Sequence, residues 1–512
     1  MTLRNNTSIK IYLNTGNRFI VAVPVFLFDN TPRLFIPPIT MSPDRTKRLN
    51  ELATVGVGRL LWNYSLPAVV GMLVMQLYNF VDRALIGHYG GIDGAASQEA
   101  IAGLTITFPV MNITTALGVL IGAGSAARMS ILLGNGNISG ARNILGNALS
   151  LTIVLGLCYL TVFELYLDDM LMLFGATTTN LPYAHEFMIY ILPGLFLMNL
   201  TYSFNNLMRA SGFPLKAMVT MFIGAGLNII LVTLFLVVFK MGIKGAAIAS
   251  DISMAITTTF VMAHFFKNTG PITWTRGTFR LKSRIVWGII GIGAAPCIVN
   301  IAACLINIFI NDNLKRLGAT SQLGSDGALA SAGVFVTFTS MIISGIIGIC
   351  QGMQPIVGYN YGAGLFHRLK RTYWLAVGAS TALCVAGWAI AMICPSSVAQ
   401  LIIPDETLAG HTGRLLSIAM CMFWLIGFQI VSTNFLQSIG RVAYSIALSL
   451  SRQVIFLLPI MYFMVRSLGL DGLWISFPTS DVCATIVSAI FIIIEFRAIK
   501  RMENNKIIPR PL

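Results

Sequence analysis

The apolar part of this 512-residue chain is written twice, so any fold it adopts must hold two copies of one design. The stretch Gly122–Gly136 returns as Gly348–Gly362, an offset of 226. Asn206–Gly212 returns as Asn434–Gly440 at 228, and Met241–Gly245 as Leu468–Gly472 at 227. Pro67 and Pro296 interrupt the first long apolar run of each half, at 229. Separate pairs thus agree on one period. They predict two homologous bundles related by pseudo-symmetry.

The repeated material is apolar enough to live in lipid. The chain is 56% hydrophobic and only 10% charged, against roughly 45–50% and about 25% for soluble domains. Runs long enough to cross about 30 Å of hydrocarbon recur throughout. They predict an all-α membrane protein with twelve spans, near 60–87, 98–127, 143–166, 183–209, 214–239, 245–267, 284–310, 327–356, 370–394, 411–438, 442–466 and 472–497. No strand pattern competes with this reading.

The net charge of +15 raises the question of nucleic acid, but its distribution answers otherwise. Lys and Arg gather in alternate connections: Arg45, Lys47, Arg48 and Arg59; Arg128 and Arg142; Arg209 and Lys216; Lys267, Arg276, Arg280, Lys282 and Arg284; Arg368, Lys370 and Arg371; Arg441; and five from Arg497 to Arg510. The opposite connections hold far fewer. The positive-inside rule then puts both termini in the cytoplasm of a bacterial inner membrane, which an even number of spans also requires. The basic excess reports topology and attraction to anionic lipid, with no nucleic-acid partner.

The organisation expected is an amino-terminal extension over 1–58, a six-helix lobe over 59–267, a cytoplasmic linker over 268–283, a second lobe over 284–498 and a tail over 499–512. The linker carries Gly270-Pro271 and Gly277 as breakers. The extension differs from the rest; its apolar run Ile20–Phe28 lacks a small-residue cleavage site, and Met41 is an alternative start. The eight cysteines fall inside spans and form no C-x-x-C pair, so they read as small apolar fillers.

An ionisable side chain in hydrocarbon is costly and is a functional candidate for that reason. Asp82 stands out. It lies about 22 Å beyond Pro67 along a helix, in the outer third of the first span, where desolvation favours a protonated carboxyl. Asp251 and Asp481 lie inside the sixth and twelfth spans; each reads equally as a proton or cation ligand, a cap, or the partner of an arginine. Arg452 in the eleventh span reads as a snorkelling or pairing group. Gln76, Asn79 and Asn206 in the first half, and Gln351, Gln354 and Asn434 in the second, either join helices or line a wet cavity. Enzyme signatures are missing: there is no Walker lysine motif, no H-E-x-x-H, and the five histidines are far apart. No cofactor or metal is expected.

A repeated bundle of broken hydrophobic helices is the architecture of secondary transporters, with the substrate site between repeats. The segments Leu61–Pro67 with Leu77–Gly87, Gly352–Gly362 and Gly224–Ile230 resemble the multidrug and toxic compound extrusion (MATE) family, and its DinF-like branch most. The resemblance covers about 55–500. It implies two six-helix lobes forming a V around a cavity that opens alternately to each side. It also implies export of cationic or amphipathic organic compounds in exchange for H⁺ or Na⁺, by a protein for which a monomer suffices. The family's coupling residues fall on Asp82, Asn228 and Ser250, and its bending proline on Pro67. Where many relatives have a second aspartate, four residues after the asparagine, this chain has Val232. Hard cations prefer several oxygens, including charged ones, so the loss favours H⁺ through Asp82, with Asp251 contributing. A lipid-linked-precursor flippase of the same superfamily is the alternative expectation; a membrane-embedded enzyme fits less well.

Overall fold

The structure is a computed structural model that describes residues 50–89, 98–177, 180–266, 272–274, 277–319, 324–403 and 405–506. Most of the extension over 1–58, and with it the alternative start at Met41, lies outside the described residues. Within them the chain is helical, with no strand. The amino-terminal lobe comprises α1 (Val57–Tyr89), α2 (Gln98–Gly134), α3 (Ile138–Leu165), the short α4 (Leu167–Leu173), α5 (Leu181–Ala210), α6 (Pro214–Thr233) and α7 (Gly242–Phe266). The carboxy-terminal lobe comprises α8 (Ser283–Gly318), α9 (Gly324–Gly362), α10 (Phe366–Ile393), the short α11 (Pro395–Gln400), α12 (Glu406–Met420), α13 (Ile426–Ser438), α14 (Val442–Leu450), α15 (Leu458–Leu468) and α16 (Leu470–Asn504).

Among the described residues, eleven helices are long and apolar enough to cross a membrane, and a bent pair makes the twelfth span. That pair is α12 with Phe423–Ser438, meeting at 45°. Lipid tolerates such a break only where neighbouring protein satisfies the freed backbone groups. Trp388 of α10 does part of this, donating from Nε1 to the Cys421 carbonyl at 3.1 Å. The sequence pattern marked the span but not its interruption, because apolar composition continues through the corner.

Two further irregularities sit at related places. The α6 helix runs on into a π-helical turn over Leu234–Val238, and α14 passes into α15 through a π-helical segment over Ser451–Leu457. Each is in the fifth span of its half. Pro67 and Pro296, by contrast, lie inside continuous helices. Each proline removes one ladder hydrogen bond without ending its helix.

The lobes meet end to end through α1, α2, α8 and α9, and the contact shows the pseudo-two-fold directly. A side chain on Gly134 would overlap the Tyr359 carbonyl oxygen, and one on Gly362 would overlap the Ile131 carbonyl oxygen. Both the glycines and the carbonyls are related by an offset of 228. Gly124 packs likewise on the Ile289 backbone, and Gly352 on Ser65. Without a hydrophobic drive between helices in lipid, such small residues set how closely backbones approach. Polar bonds cross the same seam: Ser65 Oγ donates to the Ile349 carbonyl at 3.3 Å, and Gln354 Nε2 to the Ala123 carbonyl at 3.0 Å. The seam lies at the end of the molecule rich in Lys and Arg, and from it the two lobes diverge as a V.

Candidate functional site

The amino-terminal lobe gathers three of the expected residues by simple helix geometry. Ile86 of α1, Val232 of α6 and Ala246 and Ala249 of α7 form one buried apolar cluster, with Leu236. Asp82 is four residues before Ile86, Asn228 four before Val232, and Ser250 four after Ala246. Residues four apart share a helix face, so Asp82, Asn228 and Ser250 occupy the layer one turn beneath this apolar cap. Asn228 and Ser250 are both buried, and Asn228 Nδ2 donates to Ser250 Oγ at 3.0 Å. The amide oxygen of Asn228 is buried with no hydrogen-bond partner, leaving an acceptor on the interior side of the pair. Asp82 is half-buried with its Oδ1 enclosed. Tyr78, one turn before it, lies within reach of its charge. Val232 is fully buried in the cap, surroundings that suit an apolar side chain.

Asp251 does not join this layer. Adjacent helical residues diverge by about 100°, so as Ser250 faces α6, Asp251 turns towards α5. There its Oδ1 lies beside the backbone amide of Gly194 without a well-formed hydrogen bond. A side chain on Gly194 would collide with that carboxyl oxygen. Pro193 precedes Gly194 inside α5, so this carboxyl faces a stretch of helix already missing one ladder bond.

The polar candidates divide between two places. Gln76 is half-buried and Asn79 exposed on the outer half of α1. Asn206, Gln351 and Gln354 are buried near the closed seam between the lobes. Asn206 donates to its own helix at Tyr202, and Asn434 to its own helix at Ile430, both at 2.9 Å. Pro67 lines a cavity of about 540 Å³ with Trp62, Asn63, Phe213, Leu215 and Lys216. This cavity is at the basic end, remote from the Asp82 layer. Pro296 accepts from Asn300 at 2.8 Å through its carbonyl.

Sequence reasoning missed one group. Arg128 and Arg209 were expected in basic connections; both are instead buried inside α2 and α5. Arg209 is only 4% exposed, yet it meets no carboxylate among the described residues. Its guanidinium donates to Asn205 Oδ1 through Nε at 3.1 Å, and across the seam to Gln351 Oε1. A buried cation held by neutral oxygens is costly, and it fastens the two lobes together. Asn205 four residues before Arg209 was the one local signal.

Comparison with known proteins agrees with this architecture. The MatE family model matches residues 67–234 and 318–463, more than half the chain. The chain therefore belongs to the MATE family of membrane transporters. It is similar to an FAD transporter of Shewanella oneidensis, 24% identical over 443 residues, covering 85% of this chain and 94% of the relative. It is similar to the multidrug export protein MepA of Staphylococcus aureus, 23% identical over 458 residues, covering 88% and 97%. Among solved structures, the outward-facing conformation of a multidrug resistance MATE transporter superposes with a TM-score of 0.80 at 24% identity, over 88% of this chain and 98% of that one. That likeness concerns the fold.

Proposed function

We propose that this chain is an ion-coupled multidrug exporter of a bacterial inner membrane, exchanging organic cations or amphipathic compounds for H⁺. The observation that supports the reading is the buried Asn228–Ser250 hydrogen bond beneath an apolar cap shared with Ile86 of α1, one turn from which Asp82 lies on the same helix face. The reading puts the basic end, with both termini, in the cytoplasm; the seam is then the inner gate, and the V opens outward. Protonation of Asp82 from outside neutralises a half-buried charge, changes hydration in the amino-terminal lobe and favours release of cargo. Loss of the proton to the cytoplasm resets the site. Cargo and proton influence one another only through unequal affinity for the two states. Val232 leaves the layer one carboxylate, a poor cage for Na⁺; Na⁺ is the competing coupling ion. The bilayer is the only other partner required, and a monomer is sufficient.

The test is proton movement in proteoliposomes on addition of a fluorescent organic cation. Substrate-triggered movement is expected in the native protein and is abolished by Asp82→Asn. Export that follows a Na⁺ gradient after the proton gradient is collapsed overturns H⁺ coupling. No movement with either ion, across a panel of cations, favours the lipid-linked-precursor flippase.

A further inference from the structure

The carboxy-terminal lobe contains a polar interior that the Asp82 layer does not explain. Asp481 of α16 is 4% exposed and accepts from Arg452 Nε at 3.0 Å. Arg452 sits in the π-helical segment Ser451–Leu457. On the approach to this ion pair, α13 and α14 run antiparallel, with Ser445 Oγ donating to the Thr433 carbonyl at 3.3 Å. One turn further along both helices, that register sets Gln429 opposite Ser449. Gln429 is 2% exposed and Ser449 is 7% exposed. The Oε1 of Gln429, the Oγ of Ser449 and the buried Oε1 of Gln453 all lack a hydrogen-bond partner. Ser380 Oγ is a fourth such atom, on α10 where Gly427 packs against the Ser380 backbone. Buried polar atoms are almost always hydrogen-bonded in folded proteins. Four orphans within one helix bundle, beside an ion pair, call for molecules that donate and accept in turn, which is the chemistry of water and hydronium.

We propose that this interior is a second, hydrated proton-binding site, in which Asp481 exchanges a proton with water held by Gln429, Ser449 and Gln453, and Arg452 competes with that proton for the carboxylate. The other titratable groups near Asp481 are Cys384 of α10 and Cys421 at the corner between α12 and α13. Cys483, two residues on, points to the opposite side of α16. Among the described residues, Arg452 is thus the charge positioned to oppose protonation. The step balances simply. Hydronium gives its proton to a carboxylate oxygen of Asp481 and leaves as water. Arg452 keeps its protons, as guanidinium does throughout the accessible range, so the site gains one positive charge. The pair must part for this to happen. A π-helical segment is a frequent feature of functional sites and holds an extra residue per turn; sliding that bulge along the span rotates Arg452 away from Asp481. The bend between α12 and α13, beside Cys421, lies next to the same carboxylate.

The test uses the full chain in proteoliposomes and needs no transport. Dicyclohexylcarbodiimide converts a protonated carboxyl in apolar surroundings to an N-acylurea, which peptide mass spectrometry locates. Labelling at Asp481 is expected to rise by about tenfold per unit fall in pH above its midpoint. Arg452→Gln is expected to move the whole profile to higher pH, and Asp82→Asn to leave it unchanged, so failure of the Asp82 reading is separately visible. Absence of Asp481 labelling in the native protein at every pH overturns the proposal. An identical profile in Arg452→Gln overturns the competition. As a second readout, the charge-neutral Arg452→Gln/Asp481→Asn double variant is expected to flatten the pH dependence of export; an unchanged pH profile shows that the pair only holds α16 in place.

Discussion

The two lobes share a backbone plan and differ in how they handle charge. In the amino-terminal lobe, the fifth and sixth spans meet through Asn228 and Ser250, a neutral pair. In the carboxy-terminal lobe, the eleventh and twelfth meet through Arg452 and Asp481, a charged one. At the seam the asymmetry reverses. Arg209 of the first repeat stands where the second repeat has Gln437, an offset of 228. Helix packing needs only shape and small residues at the crossings, so it survives divergence of the polar groups. Electrostatics inside lipid tolerates few arrangements, and each lobe has settled on its own. Fold symmetry is therefore no guide to functional symmetry.

The comparison can be broken most severely at the seam. Gly134→Leu and Gly362→Leu each drive a side chain into a backbone carbonyl of the other lobe. If the junction is symmetric, both lower stability by about 3 kcal/mol, the upper end for overpacking, and thermal unfolding in detergent gives equal shifts. A large effect at one glycine and a small one at the other would show that the lobes do not share the load.

Arg209→Ala sharpens the contrast with Gln437. It leaves Asn205 and Gln351 without their donor, at a cost of about 2 kcal/mol. Cross-linking of cysteines introduced across the seam should then report a more frequently open basic end. Gln437→Ala is expected to cost about half as much, because the buried oxygens of Asn205 and Gln351 then keep their donor.

Smaller than that of Arg209→Ala is the effect of Ser250→Ala, expected to reduce stability by about 1 kcal/mol. Loss of this one hydroxyl should weaken coupling measured as protons moved per substrate, without changing the fold read by circular dichroism. Val232→Asp is the gain-of-function counterpart. It places a second carboxylate in the cap one turn from Asp82, and a Na⁺ dependence of export absent from the native protein should emerge. Stability should fall by about 2 kcal/mol or more, since the new acid enters a fully buried apolar cap.

Much of this was legible in the sequence because lipid imposes so few solutions. Twelve spans followed from apolar run length, the repeat from the spacing of Gly and Pro, and the Asp82, Asn228 and Ser250 set from family resemblance. Of that set, the structure joins Asn228 to Ser250 by a hydrogen bond, while Asp82 shares a helix face with Ile86 of the adjoining apolar cluster. Asp251 was a candidate as an ionisable group inside the sixth span, and the 100° step from Ser250 turns it towards Gly194 of α5 instead. Arg128 and Arg209 were counted with the basic connections, because a charge count cannot tell a helix end facing water from one sealed by a neighbouring lobe.

The sequence by itself determined the class, because the hydrocarbon core admits only helices here and the apolar spacing says how many. Tertiary structure decided which polar groups meet. Arg209 reaches Gln351 across 142 positions, Arg452 reaches Asp481 across 29, and neither pairing is written in any local pattern. Partners of buried charges are chosen by the angle at which helices cross and by the glycines that let them approach. Those are properties of the assembled bundle, not of any one span.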